Sequence, residues 1–199
     1  MDGLLGPRLR AAREARGWTL RSVAATVGIS PSLLSQVETG KIHPSVSTLY
    51  ALVSHLGVSI DELLGHAVTG SVTGPGVGVR AVLRAEDTPR IAMENGVTWD
   101  RLAVDGRGLV DPLLTTYAPG GSSSVDGRSM RHPGIEYGYL ISGELTLRLE
   151  DEATVLKAGD SMCFDSQRPH LYVNHTDEET RGIWFVVGGP SEPDGQPIS

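Results

Sequence analysis

The spacing of apolar residues changes period once along this chain, and that change constrains the fold more than any other feature. Through residue 65 the apolar positions recur at helical intervals. After residue 78 they alternate with polar ones. Leu5, Leu9, Ala12 and Arg16 lie on one helical spacing that Gly17 ends. Thr19 offers an N-cap to Leu20–Val27, and Gly28 supplies the following turn. Ser30-Pro31 places a cap and then proline at the first helical position of a segment that Gly40 stops. Ser45 caps a helix with a Leu49, Leu52, Val53, Leu56 stripe, and Ser59 caps a short one through Leu64. Five short helices form an all-α unit over 1–65.

The segment 66–78, rich in Gly, Thr and Val, has no period and is expected to be a linker. Beyond it, Thr98–Val104, Leu109–Tyr117, Ile135–Ile141, Glu144–Leu149, Thr154–Leu156, Ser161–Phe164, His170–Val173 and Arg181–Val187 alternate like short strands between turn signals. Many short strands at such spacing imply a sandwich or barrel over 79–188. The tail 189–199 is expected to be loosely ordered. The expected class is therefore an α+β two-domain chain, all-α first and all-β second. Tyr117, Tyr139, Tyr172 and Trp184 are expected in the core, as is the lone Cys163.

Charge is divided in the same way. The net −7 hides a first part with six cations against five anions and a remainder with eleven against nineteen. Five of the six early cations, Arg8, Arg10, Arg13, Arg16 and Arg21, fall by the start of the second helix, so nucleic acid contact suits that half alone. A single cysteine forms no intrachain disulfide, and no apolar run approaches a membrane span. With no uninterrupted apolar stretch near the N-terminus either, the expected location is the cytoplasm.

A helix begun by Ser30-Pro31 turns Leu34 and Val37 inward and carries Ser32, Ser35 and Gln36 outward. Short hydroxyls beside a Gln are suited to base edges in a major groove, where Gln favours adenine. The stretch LRSVAATVGISPSLLSQVETGKIHPSVSTLYALVSHLGVSIDELL strongly resembles the XRE (Cro/repressor-like) helix-turn-helix family. That resemblance implies double-stranded DNA as partner, with Ser32 and Gln36 on bases and Ser35 on bases or phosphate. It implies Arg21, Lys41 and Arg10 along phosphates and Ser30 at the start of the reading helix. Arg13 and Glu38 match a structural pair joining first and reading helices. A palindromic operator read by a homodimer follows from the module's small size.

In the second half, His132, Glu136 and Gly143, followed by Gly159-Asp160, Pro169-His170 and Asn174, resemble the two cupin motifs. The implied fold is a jelly roll, or double-stranded β-helix. Cupins commonly present three histidines and a glutamate to a metal; in this chain Met130 stands at the first histidine position. What remains is His132, Glu136 and His170, a set suited to a divalent metal, iron or zinc. Three readings stay open. The set holds a small-molecule effector in a pocket with Tyr172, Phe164 and Met130; or it bonds internally as structure; or it is a non-haem Fe(II) centre, as in helix-turn-helix–cupin epoxidases. No phosphate loop or nucleophile triad is present. The expectation is a transcriptional regulator rather than an enzyme, with a cupin that senses an effector.

Overall fold

The computed structural model describes residues 4–64, 82–104 and 109–188. The expected linker 66–78 and tail 189–199 lie outside the described residues. Five helices come first: α1 Leu5–Ala15, α2 Leu20–Val27, α3 Pro31–Glu38, α4 Val46–Leu56 and α5 Ile60–Leu64. Their starts are fixed by the expected side chains. Thr19 Oγ1 accepts from Ser22 N, Ser30 Oγ from Leu33 N and Ser45 Oγ from Thr48 N. Ser59 and Glu62 form a reciprocal capping box. Gly28 and Gly57 end α2 and α4 in the left-handed conformation, at φ 75° and 57°.

Leu9, Val23, Ala24, Leu34, Leu52 and Val53 fill the helical core. Gly6 is required where α1 crosses the end of α3, because a Cβ there would lie 2.3 Å from the Val37 carbonyl oxygen. Arg13 and Glu38 bridge the same two helices through a buried two-point ion pair.

Nine strands follow: β1 Arg90–Ala92, β2 Val97–Arg101, β3 Val110–Tyr117, β4 Ile135–Ser142, β5 Glu144–Leu149, β6 Glu152–Lys157, β7 Ser161–Asp165, β8 His170–Val173 and β9 Thr180–Val187. They form a six-stranded sheet, ordered β1-β2-β3-β9-β4-β7, and a three-stranded sheet, ordered β6-β5-β8. Every pairing is antiparallel. The non-sequential order is that of a jelly roll. The sheets meet through aromatic rings: Tyr172 on β8 lies 6.2 Å from Tyr117 on β3 and 5.7 Å from Trp184 on β9.

Three sequence expectations need correction. The strand expected over Thr98–Val104 ends at Arg101, the last residue in register with β3, with one further backbone bond from Leu102 N to the Pro112 carbonyl, and the short β1 at the sheet edge is a strand that the sequence reading did not include. Tyr139 is 50% exposed rather than core, because Glu136, Gly138 and Leu140 point inward and alternation sends Tyr139 outward. Cys163 is also exposed, since it pairs with outward-facing Tyr137 across β7 and β4.

Helix α4 meets the barrel directly. Ser47 N donates to the Ser123 carbonyl at 3.0 Å, and Glu94 N donates to the Pro44 carbonyl at 3.0 Å. Tyr50 stands edge-on to Trp99 of β2, 5.4 Å between centroids.

Candidate functional site

Alternation along β4 points Glu136 into the barrel, and β8 begins with His170 aimed at the same point. His132 reaches it from the segment before β4, held by its own N–H donating to the Ser166 carbonyl. Met130 and His170 exchange two backbone hydrogen bonds as an isolated bridge, so both motifs are tied together at the site. All three polar side chains are buried.

Each imidazole is oriented by a backbone carbonyl. His132 Nδ1 lies 3.1 Å from the Pro133 oxygen, and His170 Nδ1 lies 2.8 Å from the Arg168 oxygen. A carbonyl only accepts, so each Nδ1 carries the proton and donates. Both Nε2 lone pairs therefore face Glu136, whose Oε2 stands 3.3 Å from His132 Nε2 and 3.6 Å from His170 Nε2. Neither Nε2 makes a hydrogen bond; both are buried without a partner. Glu136 Oε1 accepts a short hydrogen bond from the Tyr172 hydroxyl.

Burial pushes the Glu136 carboxyl up, but His132 and His170 in their protonated form, together with the Tyr172 hydroxyl, outweigh it and hold it below the usual carboxylate range. Burial holds His170 below the ordinary imidazole value against the pull of Glu136. With both rings neutral and protonated on Nδ1, the carboxylate faces two lone pairs, an arrangement that a positive centre completes. His132, Glu136 and His170 bring one ligand atom each within 4.8 Å of one another. Their orphaned Nε2 atoms, fixed by Nδ1–H donation, fit a divalent cation.

Above this triad is a cavity of about 20 Å³. Of the pocket residues expected from sequence, Glu136, Tyr172 and Met130 line it, while Phe164 lies behind, 5.1 Å from the His170 ring. The remaining lining includes Trp99, Thr115, Tyr117 and Trp184. Two lining residues, Val46 and Tyr50, come from helix α4 of the helical unit. Sequence reasoning missed both, because a contact between residues 82 positions apart leaves no local pattern. Tyr50 stacks on His132 with 4.0 Å between centroids and 7° between planes.

On the helical unit, α3 exposes Ser32 and Gln36, leaves Ser35 half-buried, and buries Leu34, Val37 and Glu38. Arg21 and Lys41 are exposed at either side of it. The Ser30 hydroxyl oxygen caps the helix by accepting from Leu33 N. Arg10 is paired with Glu14 at 2.7 Å.

These parts define a class: a helix-turn-helix head built onto a jelly-roll barrel with a buried His-His-Glu cluster. Residues 9–63 match the helix-turn-helix family model and residues 113–186 the cupin domain model. The transcriptional regulator PuuR of Escherichia coli is 26% identical over 171 residues, spanning 85% of this chain and 86% of that protein. An uncharacterised helix-turn-helix regulator of Sinorhizobium fredii, y4dJ, is 41% identical over 64 residues, 32% of this chain and 83% of that protein. A helix-turn-helix transcriptional regulator from Vibrio cholerae has the same fold, with a TM-score of 0.65 at 19% identity, covering 94% of this chain and 96% of that one. The chain belongs to the XRE-type helix-turn-helix transcriptional regulators that carry a C-terminal cupin domain. It is a DNA-binding regulator. Among the described residues no helix is long and apolar enough to cross a membrane.

Proposed function

We propose that this regulator acts in the cytoplasm as a homodimer whose barrel, residues 79–188, binds a small-molecule effector and thereby modulates operator affinity of the head, residues 1–65. The observation that carries the effector site is the pair of buried, unpartnered Nε2 atoms beside an ionised Glu136. Folded proteins rarely leave such groups unsatisfied without a use. His132, Glu136 and His170 anchor the effector, directly or through a divalent ion; Met130, Phe164 and Tyr172 shape the pocket. A bound iron or zinc would be held by His132 Nε2, His170 Nε2 and Glu136, and would supply a Lewis-acidic centre. The two-histidine, one-carboxylate composition also favours a second reading, a non-haem Fe(II) oxygenase. The sequence relatives named as regulators weigh toward regulation and away from catalysis.

In the head, Ser32 and Gln36 are assigned to base edges and Ser35 to bases or phosphate. Arg21, Ser30 and Lys41 follow the phosphate backbone, with Arg10 as a further contact. Two heads reading half-sites one helical turn apart require a dimer. The outward face of β4 supports one. Ile135, Tyr137, Tyr139 and Ile141 are all exposed and uncharged, and Phe185 of β9 sits opposite Tyr137. Each large side chain there offers roughly 100 Å², so the five give over half of the ~800 Å² per partner of a stable interface. The partner is a second copy of this chain, because two bodies of net charge −7 meet most favourably through an uncharged face.

The test is a DNA-shift assay on intact protein with a thermal-shift screen of small molecules and divalent ions on the same sample. A compound that raises the melting temperature and alters operator affinity supports the reading. A metal-loaded chain that consumes oxygen with a substrate, without DNA affinity, supports the oxygenase instead.

A further inference from the structure

The cupin site and the DNA-binding domain share a wall. Tyr50 is 4% exposed, lies flat on His132 and edge-on to Trp99, and lines the cavity above Glu136. The His132 and His170 side chains are wholly buried beneath it. The cavity of about 20 Å³ holds a bare ion or one water. An organic ligand occupies pockets of roughly 300–1,000 Å³. No organic molecule fits while helix α4 is docked.

We propose that Tyr50 is the gate of the cupin site, so that docking of the DNA-binding domain through α4 and occupancy by any ligand larger than an ion exclude each other. This rests on the reading of the triad as a ligand site. The gate is attached to the head at the residue level. α4 is held to the barrel by the Ser47–Ser123 and Glu94–Pro44 backbone bonds and by Val46, which is buried at the same wall. Tyr50 is one turn beyond Val46 on the same face, 4% exposed, with its ring flat on His132 and edge-on to Trp99, so the least disruptive way to uncover His132 is to move the helix that carries it. Opening the site therefore moves the helix. A ligand that prefers the open form draws the equilibrium toward a released head, by as much as its affinity differs between the two forms. Ions that fit beneath the ring lack this differential and leave the head docked.

The test uses diethyl pyrocarbonate, a small organic reagent that acylates accessible neutral imidazole nitrogen, read at each histidine by peptide mass mapping of the intact protein. In the wild type, His132 reacts at least about tenfold more slowly than the exposed His43 and His175, the factor reporting the closed population. Tyr50→Ala raises the His132 rate about tenfold or more, and Tyr50→Phe, which keeps the stack, stays near the wild-type rate. A second measurement needs no variant. Wild-type protein carrying the His132 adduct exchanges the amides of residues 46–56 faster than unlabelled protein, while residues 20–38 are unchanged. Equal labelling of His132 and His43 in the wild type overturns the gate, as does unchanged exchange over 46–56 after labelling. Duplex binding at low salt is measured on the same samples. DNA binding with ungated labelling defeats the gate and spares the regulator. Gated labelling in a chain that binds no DNA does the reverse.

Discussion

Arg13 grips Glu38 at two points, Nε to Oε1 at 2.6 Å and Nη2 to Oε2 at 2.8 Å, across the crossing of α1 and α3. A third contact, Arg13 Nη1 to the Trp18 carbonyl at 2.9 Å, ties the same guanidinium to the turn before α2. One buried side chain thus joins α1, the turn before α2 and the end of α3 within the head.

Glu38→Ala leaves that guanidinium only the Trp18 carbonyl and Glu14, and is expected to destabilise the head by about 1–3 kcal/mol, measured by urea unfolding. Replacing both partners with apolar residues, Arg13→Met with Glu38→Leu, is expected to cost far less. If the double variant is as unstable as the single one, the pair is not the strut described.

Burial raises the phenols of Tyr50, Tyr117 and Tyr172 well above their ordinary value of 10, Glu136 adding to the effect. A raised folded-state value means that stability is complete below about pH 10 and is lost as pH climbs above it. Spectroscopic titration at alkaline pH should show these three phenolates appearing only with cooperative unfolding. Smooth ionisation of these three phenols without unfolding contradicts the packing of the site.

Much of this was legible beforehand, and the failures have physical causes. Each of the last four helix starts was written in a capping side chain that makes its bond in the structure: Thr19, Ser30, Ser45 and Ser59. The convergence of His132, Glu136 and His170 followed from the two cupin motifs. Tyr139 and Cys163 were misplaced because their apolar character suggested burial, whereas strand parity relative to Glu136 settled their outward direction. β1 was missed because three residues are too few to show a period. Tyr50 lies on α4 outside the Leu49, Leu52, Val53, Leu56 stripe, and what it stacks on is set by docking, which no spacing encodes.

The β4 face gives a separate expectation. Tyr139→Lys changes an exposed residue, so it should leave the melting curve within about 0.5 kcal/mol of wild type. Light scattering should nonetheless show dissociation at tenfold or so higher protein concentration, since a desolvated charge at an interface centre costs at least about 1.4 kcal/mol. An unchanged dimer mass would move the interface elsewhere.

Metal affinity can be read directly. Co(II) added to the chelator-treated protein is expected to give ligand-field absorption at about one equivalent, lost in His170→Ala, and to raise the melting temperature by mass action. Absorption that survives His170→Ala places the ion at another site.

The assignment of DNA reading to α3 is open to one decisive experiment. Footprinting of the intact protein across its own genomic DNA at low salt tests it most directly, with Gln36→Ala beside the wild type. The expected result is a two-fold protected site with half-sites one helical turn apart. Gln36→Ala should weaken it by about 1–3 kcal/mol, with loss of base preference at the contacted position. Absence of any protected site, or a site that Gln36→Ala leaves unchanged in strength and sequence, contradicts the claim.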